Sequence, residues 1–336
     1  MPSGKRVSVY EVAARAGISI ATVSRALNQP HVVSAETREK VLAAVRELNY
    51  VPDSEAAARA RTSHTRVAVV SPVQTYPGYA SRLRGILTSF APTGAEVIVF
   101  HIEAQKLRQT TKYFDSLAAS GRYDALIIMS LPLENQELDR LASTGFPTVL
   151  VETVDDRFPT VQVNHEHGSY LATQHLIDKG YTRLGFIGFD NAQNYALDAG
   201  ALREAGFRRA MEENNLPISE KWVVKTQYGI DSARQSATDL LAGKDCPRAL
   251  VCASDVIALG AMKACEELGL ASPREVAIIG FDDIDMAAYL GLSTIHQPLQ
   301  ETGVEAAELI QTLMRKAEPK NGNVTLELKV VERSTT

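Results

Sequence analysis

Cysteine is scarce in this chain, with three among 336 residues: Cys246, Cys252 and Cys265. An odd number without metal-type spacing argues against a disulfide framework and fits a reducing cytosol. Long apolar runs are missing as well. The N-terminus has no apolar signal core, and no stretch approaches membrane-spanning length, so a cytoplasmic protein with no membrane partner is expected. No low-complexity segment or short repeat is visible. No nucleophile–base pair stands out, so no enzymatic activity and no cofactor are expected. What is present is ordinary globular material. Hydrophobic residues make up 45% and charged residues 22%, which excludes disordered and fibrous classes. The length suggests two or more domains, each able to bury a core.

The net charge of -5 conceals an asymmetry. Residues 1–65 hold nine Lys and Arg against six acids, a surplus of +3 that leaves -8 for the remainder. A mildly basic head on an acidic body suits a protein that meets a polyanion at one end.

That head contains VYEVAARAGISIATVSRALN, residues 9–28. Val9, Val12, Ala13 and Ala16 recur at helical spacing, as do Val23, Ala26 and Leu27 after Gly17. The link Gly17-Ile18-Ser19 is as short as a helix-turn-helix requires, with Ser19 placed to cap the second helix. The outward positions Ile20, Ala21, Thr22, Ser24 and Arg25 are small, hydroxylated or basic, and can enter a major groove without steric conflict. Ser34 starts a third helix with a Val41, Leu42, Val45, Leu48 stripe. Pro52 breaks it, and the Ala-rich SEAAARARTSHT reads as a linker able to form a short helix.

From Val67 onward, apolar runs such as VAVVS, DALIIMS and PTVLVE alternate with amphipathic segments. A second series runs through RLGFIGF, RALVCAS and EVAIIGFDD. This alternation predicts an α/β core of parallel sheets covered on both faces, in two lobes with a ligand cleft at the carboxyl ends of the strands. VQVNHEHG and STIHQP are the expected crossovers between the lobes.

The N-terminal block, VSAETREKVLAAVRELNYVP, HLIDKGYTRLGFIG, ASDVIALGAMKACEELG and GFDD together resemble the LacI–GalR family of bacterial transcription regulators along essentially the whole chain. The resemblance implies a helix-turn-helix headpiece (7–52), a hinge (53–65) and a two-lobed core like that of periplasmic sugar-binding proteins (66–336). The first lobe would take about 66–163 and 296–325, and the second about 164–293 with the C-terminal strand. The implied function is a DNA-binding repressor that acts as a homodimer or larger. Its partners would be double-stranded operator DNA and a small-molecule effector, most readily a sugar, with a purine or nucleoside as the alternative.

Carried onto this sequence, the family's base-reading positions fall on Ile20, Ala21 and Arg25. Arg25 can pair bidentately with guanine, and Ile20 and Ala21 can meet thymine methyls. Ser19, Thr22, Asn28 and Tyr50 match phosphate-contacting positions. In the hinge, residues 54–65 contain no leucine to wedge into the minor groove. Ungapped matching puts Arg59 at that position and Glu55 where a small apolar residue is usual; a one-residue shift puts Ala60 there. The family's effector positions land on Arg203, Asp282, Tyr228 and Ser254. Glu152 stands where Asp is common, and Gln74, Tyr76 and Tyr79 are further candidates on the first lobe's opening loop.

Three other patterns carry less. His165-Glu166-His167 lacks a matching third ligand, so no metal is expected there. GFIGFD lacks the third glycine of a dinucleotide fingerprint. Asp282, Asp283 and Asp285 lack the glycine and distal Glu of a calcium loop. A non-regulatory sugar-binding protein on the same core is the rival reading, and the headpiece argues against it.

Overall fold

Ser8 and Glu11 close a reciprocal capping box at the start of helix α1 (Val9–Ala16). The Glu11 carboxylate accepts the Ser8 N–H at 2.7 Å, and the Ser8 hydroxyl accepts the Glu11 N–H at 3.4 Å. Gly17, at φ 67°, ends the helix in the left-handed region that a Cβ would disfavour. The chain turns at once into α2 (Ile20–Asn28), where the Ser19 hydroxyl accepts the Thr22 N–H at 3.1 Å. Helix α3 (Ala35–Glu47) is started by the Ser34 hydroxyl, which accepts the Thr37 N–H at 3.3 Å. Val12, Ala13, Val23, Ala26, Val41 and Ala44 pack into one small core. The headpiece therefore has a hydrophobic centre of its own. The computed structural model describes residues 8–28, 33–48, 65–72, 77–102, 113–189, 199–319 and 322–336.

The rest of the described chain builds two sheets. The first joins β1 (Arg66–Ser71), β2 (Glu96–His101), β3 (Ala125–Met129), β4 (Thr148–Val151), β5 (Thr160–Val163) and β11 (Asn323–Leu326), in the order β11-β5-β4-β3-β1-β2 and all parallel. The second joins β6 (Leu184–Phe189), β7 (Val223–Thr226), β8 (Ala249–Cys252), β9 (Ala277–Asp282), β10 (Ser293–His296) and β12 (Lys329–Val331), in the order β12-β10-β9-β8-β6-β7. Only β12 runs antiparallel in it. Strands β3, β4, β6, β8 and β9 are buried along their whole length, as expected where helices cover both faces. Each fully buried Ile, Leu or Phe there contributes about 1.5–3 kcal/mol.

In the first lobe, α4 (Pro77–Phe90) and α12 (Leu299–Met314) cover one face, while α5 (Tyr113–Ala119) and α6 (Asn135–Ser143) cover the other. In the second, α7 (His165–Asp178) pairs with α8 (Ala199–Glu213), and α9 (Ile230–Leu241) with α10 (Asp255–Leu268). A short α11 (Asp285–Tyr289) follows β9. Helices α4 and α12 cross at Gly85 and Gly303. A Cβ on Gly85 would overlap the Gln300 carbonyl, and one on Gly303 the Arg82 carbonyl. That crossing seats Arg82 on the cleft side of α4.

The chain passes between the sheets three times: from β5 to α7, from β10 to α12, and from β11 to β12. After β12 the tail is stitched to the second sheet. The Thr335 carbonyl accepts the Ile278 N–H at 2.8 Å, and the Thr335 hydroxyl donates to the Ile278 carbonyl and accepts the Ser293 N–H.

Candidate functional site

At the carboxyl ends of the strands, between the two sheets, lies a partly open cleft, the place where ligands of such sheets bind. Its first-lobe wall is Gly78, Tyr79 and Arg82 of α4, Ser130 after β3, Glu152 after β4 and Leu299 of α12. The second lobe contributes Phe189, Ala199, Arg203 and Asp282, and the crossovers contribute His165 and Gln297. Three of these residues hold left-handed backbone at strand ends: Ser130 at φ 50°, Glu152 at 56° and Asp282 at 120°. Such conformations cost on the order of 1–3 kcal/mol each for non-glycine residues and cluster at ligand sites.

Polar side chains interlock across the cavity. Arg82 donates to Glu152 at 2.8 Å, with both side chains under a tenth exposed. Gln297 donates to the same carboxylate oxygen at 3.3 Å, and His165 Nε2 lies 3.0 Å from the other. Arg203 lays its guanidinium on the Phe281 ring, 3.6 Å from the centroid, and donates to the Ala253 carbonyl. Its second terminal nitrogen reaches His165 Nδ1 at 3.2 Å, Asp282 at 3.4 Å and Gln297 at 3.5 Å. A guanidinium only donates, so Nδ1 of His165 accepts. Nε2 therefore carries the proton and donates to Glu152. Through one neutral imidazole, Arg203 of the second lobe is tied to Glu152 of the first.

The electrostatics follow this wiring. Burial alone would raise the Glu152 carboxyl, but Arg82, His165 and Arg203 together overcome it and hold it at about 2. Burial lowers the His165 imidazole and keeps it neutral, against the pull of Glu152. Asp282 goes the other way, because burial outweighs Arg203 and Arg82 and pushes its carboxyl up. Behind it, fully buried Asp255 accepts from the Ile284 N–H at 2.8 Å and the Thr294 hydroxyl at 2.5 Å. Burial, with Asp282 beside it, pushes Asp255 up to about 7.

The structure thus brings Arg203, Asp282, Glu152 and Tyr79 to one cavity. It does not bring Tyr228 or Ser254 to the cavity wall. Ser254 is fully buried and spends its hydroxyl capping α10, accepting the Ile257 N–H at 3.2 Å. Tyr228 sets its ring edge-on to Phe189, 5.8 Å between centroids, one layer behind the wall. Gln74 and Tyr76 lie outside the described residues. Arg82, His165 and Gln297 are members that the pattern of strands alone does not single out. The three side chains of the His-Glu-His run diverge. His165 enters the cavity, Glu166 pairs with Arg209, and His167 stacks on Tyr170. No group of His, Cys, Asp and Glu among the described residues could hold a metal ion. GFIGF forms the interior of β6 and not a phosphate loop, and Asp283 is paired with Arg333 and His296.

On the headpiece, Ile20, Ala21, Ser24 and Arg25 form the exposed side of α2, and Val23 and Ala26 face its core. Ser19 is exposed and Thr22 half-buried; their hydroxyls lie 2.8 Å apart at the helix start. Asn28 ends α2. Tyr50, Glu55, Arg59 and Ala60 lie outside the described residues.

Residues 8–53 match the lacI family of bacterial regulatory proteins, and residues 173–336 match the periplasmic binding protein-like domain. The HTH-type transcriptional repressor PurR of Photobacterium profundum is 30% identical over 319 residues, 94% of this chain and 93% of that one. The chain belongs to the LacI family. PurR of Aliivibrio salmonicida is 32% identical over 311 residues, covering 90% and 91% of the two chains. Among solved structures, the lac repressor dimer bound to operator and the anti-inducer ONPF superposes with a TM-score of 0.71 at 28% identity, covering 98% and 99%. The transcriptional regulator CelR–cellobiose complex gives 0.69 at 26%, covering 98% and 100%. This LacI-family chain is a DNA-binding transcription regulator with an effector-binding core. None of its described helices is long and apolar enough to cross a membrane.

Proposed function

We propose that this regulator represses transcription by docking α2 in the operator major groove, with Arg25, Ile20 and Ala21 reading bases and Ser19, Thr22, Asn28 and Tyr50 holding phosphates. A sugar bound between the lobes, on Arg203, Asp282 and the residues around them, controls that docking. The observation that carries this reading is the buried polar cavity at the strand ends, lined by left-handed Ser130, Glu152 and Asp282, on the same chain as an exposed recognition surface. The chain acts as a homodimer. The lac repressor relative is a dimer on its operator, and Met286, Tyr289 and Leu290 leave an apolar surface exposed around α11. Ligand that favours one arrangement of the lobes shifts the pair of headpieces accordingly. A purine or nucleoside is the second reading, favoured by the Phe189 ring on the cavity wall.

A thermal-shift screen of sugars against purines, followed by operator binding with the best hit, tests both. A sugar that raises the melting temperature and changes operator affinity is expected. Stabilisation by purines alone transfers the role to the second reading, and a hit without effect on operator binding removes the regulatory link.

A further inference from the structure

Asp282 owes little of its placement to its own side chain. Among the described residues, that carboxylate accepts one long bond, 3.4 Å from Arg203. Its backbone stands at φ 120° and that of Asp283 at φ 58°, so two consecutive non-glycine residues are left-handed. Such strain persists only where the surrounding structure fixes it. The fixing side chain comes from the tail. Arg333, two residues after β12, donates from one terminal nitrogen to Asp283 Oδ1 and from the other to the Leu292 carbonyl, both at 2.7 Å. Its backbone N–H donates to the Ser293 hydroxyl at 2.8 Å. His296 Nδ1 lies 2.9 Å from the second oxygen of Asp283, so both oxygens of that carboxylate are taken. A planar guanidinium that spans two acceptors fixes direction as well as distance. The Arg333 and Asp283 side chains are 20% and 16% exposed, which leaves water little room to compete. Neither residue lines the cleft itself.

We propose that Arg333 is a positioning residue: by clamping Asp283 it holds the left-handed backbone of Asp282, and with it the Asp282 carboxylate, on the cleft wall. The consequence for ligand binding rests on the effector reading given above; the placement of Asp282 does not. Releasing the clamp lets residues 282 and 283 relax and lets the Asp282 carboxylate turn to water. The charged groups that act on that carboxylate are left as they were: Arg203 of α8, Arg82 of α4, Glu152 after β4 and Asp255 of α10.

Carbon-13 NMR on the full chain, labelled at the aspartate carboxyls and titrated with acid, reads the placement directly, with Asp282→Asn to assign the resonance. Burial holds the Asp282 carboxyl above the ordinary range. Arg333→Gln moves its titration down toward that range. Loss of a nearby cation would by charge alone move it up, so the direction separates release from charge. Arg333→Lys keeps the cation, reaches only one of the two acceptors and moves the titration down by less. Thr335→Val loosens the same tail, leaves the Arg333–Asp283 pair in place and leaves the titration where it is. Thermal shift with D-glucose, D-galactose, D-ribose and adenosine as probes reads the consequence. A probe that stabilises wild type and Thr335→Val binds Arg333→Gln roughly tenfold or more weakly. A titration unmoved or moved up in Arg333→Gln overturns the proposal, and if that variant does not fold, an unmoved titration in Arg333→Lys does so. An equal fall in Thr335→Val also overturns it, because any loosening of the tail would then serve. No stabilisation by any probe counts against the effector reading, and the titration still decides the clamp.

Discussion

Glu152 and Asp282 end strands in different sheets at one cavity, both nearly buried, and their carboxyls are pushed in opposite directions. The first is ionised and matched by cationic and neutral donors; the second is short of them. Two like groups in one site thus meet unlike surroundings, one carboxylate matched by several donors and the other by a single long bond.

Stability against pH should show both signs. Glu152 is depressed to about 2, so its contribution is complete above its unfolded value and fades as pH falls through the acid range. Asp255 is raised to about 7, so the folded protein holds a proton that the unfolded chain has lost, and stability declines as pH rises from about 4 to 7. Asparagine at 255 can still serve the Ile284 N–H and Thr294. Denaturation midpoints for Asp255→Asn should match wild type near pH 4 and exceed it at pH 8. A variant that loses stability at pH 8 contradicts this.

Arg25→Ala should weaken binding to the cognate operator by roughly 1–3 kcal/mol and relax preference at one base pair per half-site. Arg25 is exposed on α2, so the fold should not suffer. Fluorescence anisotropy at fixed salt, across single-base operator variants, measures both effects. A uniform loss across all variants would reassign Arg25 to phosphate contact.

Asp282→Ala should remove the response to effector while leaving operator affinity without effector nearly unchanged. Each charge-assisted contact to a ligand hydroxyl contributes on the order of 1.5–3 kcal/mol. Calorimetry that shows normal ligand binding by the variant removes Asp282 from the site.

The tail supplies a purely structural test. The Thr335 hydroxyl, on a residue 4% exposed, both donates to Ile278 and accepts from Ser293. Thr335→Val keeps the shape and strands both backbone groups, which should cost about 1–3 kcal/mol. A melting temperature equal to wild type would show that other groups take over those bonds.

Much of this architecture is legible in the order of the residues alone. The headpiece shows itself because Gly17 and Ser19 sit between two apolar stripes, and the sheets because their strands are unbroken apolar runs. Arg203, Asp282 and Glu152 stand out because strand ends and family positions mark them. Arg82 does not, because a cation on a helix reads as solvated until the close α4–α12 crossing buries it. His165 draws attention as half of a metal pair, yet the segment's other property, passage between lobes, is the better signal. A polar residue on a crossover is held where both lobes can reach it, and Gln297 follows the same rule. Ser254 stands where the family binds ligand, but its hydroxyl is claimed by the start of α10.

The three passages between sheets also fix an order of events during synthesis. The first sheet is finished only by β11, and α4 waits for α12, so neither lobe can close until residues near 330 have been made. The headpiece, with its own core, has no such wait and can fold as soon as it emerges. A chain cut short anywhere in the core would therefore leave a folded headpiece without the lobes that would hear the effector.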